Sequence, residues 1–105
     1  MSWKISFHEA ALAEANALSA EIRAKLNRLV LLIAGYGLDA LPPRAARPIA
    51  GGLRELRIKG KDGIARAFYV ARSGQQLVIV RVFVKKTQKT PPREIKLAQK
   101  RAAEV

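Results

Sequence analysis

The sequence predicts a single α+β domain over residues 1–105, in which a small antiparallel sheet of three to four strands packs against an N-terminal helical hairpin and a C-terminal helix. Three observations predict it. Residues 8–33 carry apolar positions at helical spacing, residues 53–85 form three strand-like runs separated by turn sequences, and a proline-led amphipathic segment follows residue 90. At 105 residues the chain is too short to split into two parts that each bury a core.

Trp3-Lys4-Ile5-Ser6-Phe7 alternates apolar and polar side chains and reads as a short strand. His8 to Leu18 is rich in Ala and Glu, a helix-forming composition, with His8 as a capping or surface residue. Ser19 supplies the next N-cap, and Ile22, Leu26, Leu29, Val30 and Ile33 recur at helical spacing until Gly35 and Gly37 end the run. Leu31 and Leu32 widen this apolar face, which suits either a sandwiched helix or a partner surface. Leu38 to Gly52, with three prolines and two glycines, reads as a connecting loop. Strands are expected over Leu53–Lys59, Ile64–Ala71 and Gln76–Lys85, joined by turns at Gly60-Lys61-Asp62-Gly63 and Ser73-Gly74. Thr90 is then expected to cap a last helix that has Pro91 at its first position.

Charge points to a partner. The net charge is +12, and residues 1–43 contribute nothing to it, holding four basic and four acidic side chains. The whole excess lies in residues 44–105, which suggests a polyanion, nucleic acid first. No apolar run is long enough to span a membrane, so no membrane role is expected. The N-terminus lacks the pattern of a secretory signal, and the absence of cysteine suits a reducing cytoplasm and excludes thiolate metal sites. Scattered carboxylates and a lone histidine give no metal cluster, and no phosphate-loop pattern opens a helix, so no cofactor is expected.

Strand periodicity places the cations. With Lys61-Asp62 at one hairpin tip and Ser73-Gly74 at the other, Arg57 falls opposite Arg66, and Arg66 opposite Arg81. Lys59, Phe83 and Lys85 share that face, whereas Leu56, Ile58, Ala65, Ala67, Val78, Val80, Val82 and Val84 form the opposite, apolar one. A row of guanidinium groups is costly without an anion between them. It suits a ribose–phosphate backbone with Phe83 stacking on a base, unless Glu55 and Glu94 neutralise the row. Metal-free RNA cleavage on such a patch needs a base for the 2′-OH, cations for the phosphate and an acid for the leaving oxygen; a lysine among cations is a usable base.

The runs Gly52-Leu53-Arg54-Glu55-Leu56-Arg57, Lys59-Gly60-Lys61-Asp62-Gly63, Arg66-Ala67-Phe68-Tyr69 and Phe83-Val84-Lys85-Lys86-Thr87-Gln88-Lys89-Thr90-Pro91 resemble the phage-derived HigB-type branch of the RelE/ParE superfamily of toxin–antitoxin systems. The resemblance spans nearly the whole chain. It implies a RelE-like microbial RNase-type fold and a toxin that cuts mRNA in the ribosomal A site, with a helix-turn-helix antitoxin as partner. It also implies catalytic roles for Arg57, Lys59, Arg66 and Lys86, with Lys59 favoured as general base. Lys61, Arg81, Phe83, Lys85 and Lys89 are expected to contact RNA. Two departures stand out: Thr90-Pro91-Pro92-Arg93 replaces the region of RelE's C-terminal tyrosine, and the histidines of HigB are absent. A ParE-like inhibitor of DNA gyrase and a non-catalytic nucleic-acid-binding regulator remain the alternatives.

Overall fold

The first two helices form where the sequence places a cap and an apolar stripe. In a computed structural model, which describes residues 2–61, 63–85 and 89–105, β1 (Lys4–Phe7) leads into α1 (Glu9–Asn16) and α2 (Ala20–Tyr36). His8 caps α1, its Nδ1 accepting from the Ala10 N–H. Ser19 caps α2, its hydroxyl accepting from the Ile22 N–H at 3.4 Å. Gly37 stops α2 at φ 89°, a backbone conformation that costs glycine least, and sits beside the Trp3 indole, where a side chain would crowd the ring. A single 3-10 turn (Leu38–Ala40) follows, then β2 (Ala46–Ala50), β3 (Leu53–Gly60), β4 (Gly63–Arg72), β5 (Gln76–Lys85) and α3 (Pro92–Ala102).

The described strands form one five-stranded sheet in the order β1-β5-β4-β3-β2. Its helical layers lie on both faces. Ala11, Ala15, Ile22, Leu26 and Ile33 of the helical hairpin close over Leu56, Ile58, Ala65, Ala67 and Val82. On the other face, Ala98 and Ile95 of α3 close over Leu53, Phe68, Val70, Val78 and Val80. Burial of this apolar surface holds the α+β arrangement together.

Four expectations are corrected. The sheet has five strands, and β1 pairs parallel with β5, from Lys4 opposite Gln76 to Phe7 opposite Ile79. The expected loop over residues 38–52 contains β2, an edge strand that pairs antiparallel with β3. Pro48 and a bulge beside it hid β2 from sequence patterning, and both are tolerated because the strand is at an edge. The last helix begins at Pro92 with Pro91 as its N-cap residue and no side-chain cap; the Thr90 hydroxyl instead accepts from Lys85 Nζ at 3.0 Å.

The fourth correction concerns register. The β3–β4 hairpin pairs as expected, with Arg57 opposite Arg66 and Lys59 opposite Ile64. Between β4 and β5, however, Arg72 pairs with Gln76, so the turn spans Ser73, Gly74 and Gln75, the last two at φ 78° and 58°. A bulge then separates the Tyr69–Ile79 pair from the Phe68–Arg81 pair. Each irregularity shifts the register by one residue, so together they shift it by two. Arg66 therefore lies opposite Phe83 rather than Arg81, and Ile64 opposite Lys85. A single slip would turn β5 over, and the second turns it back. Between the turn and the bulge only one slip applies, so Val78 and Val80 face α3 instead of the helical hairpin.

Candidate nucleic-acid site

Three adjacent strands set out the site as a grid on the α3 face. Glu55, Phe68 and Arg81 form one rank; Arg57, Arg66 and Phe83 the next; Lys59, Ile64 and Lys85 the last, toward the β3–β4 turn. α3 covers the first rank and the segment beyond it, and the last rank is the most open.

The middle of the grid is an ion pair. Arg66, 1% exposed, donates through Nη1 to Oε1 of Glu55, which is itself wholly buried. Arg47 reaches the same oxygen from β2, its Nε at 3.2 Å. Glu55 supplies the counter-charge that lets Arg57 and Arg66 stand directly opposite each other. Even so, Glu55 Oε2, Arg57 Nε and Arg66 Nε are buried without a protein partner. These two donors and one acceptor are polar groups that the pairing within the grid leaves unsatisfied.

Arg81 is held by its own chain. Its guanidinium donates to Glu14 of α1 and to Glu94 of α3, the latter through Nη2 at 3.0 Å, and it lies 5.2 Å above the Phe83 ring. Phe83 in turn meets Phe68 edge-on at 5.2 Å between centroids. Glu14 also accepts from Arg101 Nη1 at 2.9 Å and from the Val82 N–H at 3.0 Å, while Arg101 donates to the Val80 carbonyl. β1 stops pairing at Ile79, so these side chains satisfy the outer edge of β5 where the sheet has no further strand. Burial alone would raise the Glu14 carboxyl pKa; the Arg101 and Val82 hydrogen bonds and the Arg81 charge outweigh it and lower it. We predict that Glu14→Ala costs about 1–3 kcal/mol of stability, read as a lower urea midpoint. A folded carboxyl with a lowered pKa contributes stability that is present above its unfolded value and is lost as pH falls through the folded one. The wild type is therefore expected to lose this increment below the ordinary carboxylate range, and Glu14→Ala to show none there.

Lys85, 8% exposed, stands in the last rank opposite Ile64. Burial and then the charge of Arg66 lower its pKa, Glu55 opposes them, and Arg47 and Arg57 add to the lowering. Among the nominated residues, Arg57 is partly buried, Lys59 exposed on the last rank, and Lys61 exposed at the turn, its N–H donating to Glu21. Lys89 is exposed beyond β5. Lys86 lies outside the described residues. The structure thus brings Arg57, Lys59, Arg66, Phe83 and Lys85 together and gives Arg66 and Arg81 carboxylate partners.

Sequence reasoning missed Glu14, because its contacts are made 67 residues along the chain. It also missed Lys25 and Arg28 on α2 and Arg44, which join Arg57 and Lys59 around a concavity at the edge of the sheet. Among the described residues no three His, Cys, Asp or Glu side chains cluster as metal ligands, and no helix is long and apolar enough to cross a membrane.

Comparisons with known proteins agree with this architecture. An arginine-to-alanine double mutant of E. coli toxin RelE in the free state is similar over 96% of this chain and 98% of its own, with a TM-score of 0.66 and 18% identity. The archaeal RelE in a RelE–RelB complex from Pyrococcus horikoshii OT3 is similar over 80% of this chain and 96% of its own, with a TM-score of 0.55 and 12% identity. The fold is therefore that of RelE, as the sequence resemblance implied. No curated protein sequence matches the chain. The family model described as phage derived protein Gp49-like (DUF891) matches residues 13–103, and on that match the chain belongs to the Gp49-like phage-derived family.

Proposed function

We propose that the protein is the toxin of a toxin–antitoxin pair and cleaves mRNA on the ribosome without a metal. The observation that carries this reading is the last two ranks of the grid, where Arg57, Lys59 and Lys85 stand on one face around the buried Arg66. Such a cluster of cations favours a phosphate. Arg57 and Lys59 would hold it as charge develops during attack by the ribose 2′-oxygen. The RelE fold and the family match support the reading, and the RelE–RelB complex supports an antitoxin as partner. From the resemblance, that partner is a helix-turn-helix protein, Lys86 assists the leaving group, and the toxin works in the cytoplasm.

Arg66 acts from behind. Buried against Glu55, it sets the field around Lys85 rather than gripping RNA. Arg66→Ala is accordingly a poor catalytic control. The test is message cleavage by purified protein during translation in vitro, mapped by primer extension. Arg57→Ala and Lys59→Ala are each expected to lower the rate by about 10²–10³-fold, with unfolding midpoints near wild type. Intact message with ribosomes and wild-type protein present would reject the proposal.

A second reading is nucleic-acid binding without cleavage, favoured by the carboxylates that already neutralise Arg66 and Arg81. It predicts salt-dependent RNA binding with no cut at any ribosome concentration, and no growth arrest on expression.

A further inference from the structure

The outer edge of β3 is left open where the cations of the last rank begin. β2 covers that edge as far as Leu56, and the Ala45 carbonyl takes the Arg57 N–H. From there to Gly60 no strand among the described residues lies outside β3. Backbone groups along an open edge need partners from elsewhere. Two side chains of α2 supply them. Lys25 Nζ donates to the Lys59 carbonyl at 2.7 Å, and Glu21 Oε1 accepts from the Lys61 N–H at 3.0 Å.

A residue of a parallel neighbouring strand would bond the same two groups, a carbonyl and the N–H two residues on. Glu21 and Lys25 stand one helical turn apart and 3.9 Å from each other, so each also orients its partner. Gly60, between the two bonded residues, lets the helix come this close. A Cβ there would lie 2.6 Å from Cγ1 of the buried Ile22 and 3.0 Å from Glu21 Oε1. Both clamping side chains are nearly half exposed, so their bonds add little to stability. What they fix is the direction of the backbone at Lys59.

We infer that Glu21 and Lys25 are positioning residues for Lys59: they stand in for a missing strand and, with Gly60, hold the backbone from which Lys59 reaches the phosphate. The inference rests on the proposed function in one respect, that Lys59 is a phosphate ligand. Lys59 sits opposite Ile64 on the last rank with its side chain exposed. A flexible stem of this kind is aimed by the backbone that carries it. Without the two bonds the β3–β4 tip loses this tie to α2, while Arg57 keeps its bond to Ala45. The two cations then no longer keep one spacing. A misplacement of about 1 Å in a positioned group can cost about 10²-fold in rate.

Glu21→Leu and Glu21→Gln remove the same charge, but the amide of the second keeps an oxygen that can accept from the Lys61 N–H. In the message-cleavage assay, Glu21→Leu is expected to lower kcat by about 10- to 100-fold with KM near wild type. Glu21→Gln should stay near the wild-type rate. Lys25→Met should lose kcat in the same way, and Lys25→Arg, which keeps a donor, should recover most of it. Hydrogen exchange at the Lys61 amide should quicken in Glu21→Leu and not in Glu21→Gln. Equal losses of kcat in the two Glu21 variants would trace the effect to charge and overturn the inference. So would a Lys25→Met protein whose KM rises at unchanged kcat, because Lys25 would then bind RNA itself. Wild-type kcat in Glu21→Leu despite faster Lys61 exchange would make the bonds structural only, which overturns it too. Should the wild type leave message intact, the proposed function falls and the exchange measurement still decides the clamp. Faster Lys61 exchange in Glu21→Leu alone would support it, and equal exchange in the two variants would overturn it.

Discussion

Glu55→Met and Arg66→Met are each expected to cost about 3–5 kcal/mol of folding stability, whereas the double variant should be more stable than either single one. Glu55 and Arg66 are buried almost completely and each is the other's principal charge partner. Removing Glu55 leaves the Arg66 guanidinium in a dry interior with Arg57 opposite it and Lys85 nearby. Removing Arg66 leaves a buried carboxylate whose remaining ion pair is with the half-exposed Arg47. Two methionines in their place carry no charge to desolvate and pack against Phe68 and Phe83, their neighbours in the grid. Urea unfolding at neutral pH measures all three. An interaction energy of about 0.5–3 kcal/mol or more between the two sites is the signature of coupling; strictly additive losses would show that the pair does not act as a unit. Activity should fall in the double variant even where stability recovers, because the charges of Arg66 and Glu55 that act on Lys85 are lost.

Most of the fold was legible in the sequence because it depends on local signals. The Ser19 cap, the stripe from Ile22 to Ile33 and the β3–β4 turn each declare themselves within a few residues, and the β3–β4 register followed from the turn alone. What escaped was non-local. The β5 register depends on a bulge at the point where β1 stops and Glu14 and Arg101 take over the strand edge; no neighbouring residue announces it. β2 has no alternation because its pairing is secured by β3 and its edge is blunted by Pro48. The shared face of Arg57, Lys59, Arg66, Phe83 and Lys85 was nonetheless anticipated, since two one-residue slips preserve parity. The sequence even contained the neutralising partners: Glu55 and Glu94 are the carboxylates that take Arg66 and Arg81.

Lys85→Arg is expected to lower message cleavage by about 10²–10⁴-fold, the range for loss of a positioned general base or acid. Burial and the Arg66, Arg47 and Arg57 charges lower the Lys85 pKa against the pull of Glu55, so its neutral amine forms at a lower pH than that of an ordinary lysine. A neutral amine can accept the 2′-OH proton, and the ammonium so formed would stand beside the phosphate that the proposal assigns to Arg57 and Lys59. Arginine keeps the charge and most of the reach yet does not release a proton near neutrality, so the substitution separates proton transfer from electrostatics. With Lys85 as base, the rate should climb with pH until Lys85's folded pKa is passed, at a pH below the usual lysine value, and then level off; Lys85→Arg should lack the climb. Glu55→Gln removes the one carboxylate named as holding the pKa up, and should move the climb to lower pH. Stability carries the same sign. Between Lys85's folded and unfolded pKa values the unfolded chain binds the extra proton, so stability should increase with pH across that window, and Lys85→Met should flatten the rise. A Lys85→Arg protein that cleaves at the wild-type rate with an unchanged pH profile would remove Lys85 from the chemistry and return the role of base to Lys59, whose ammonium stands exposed on the same rank.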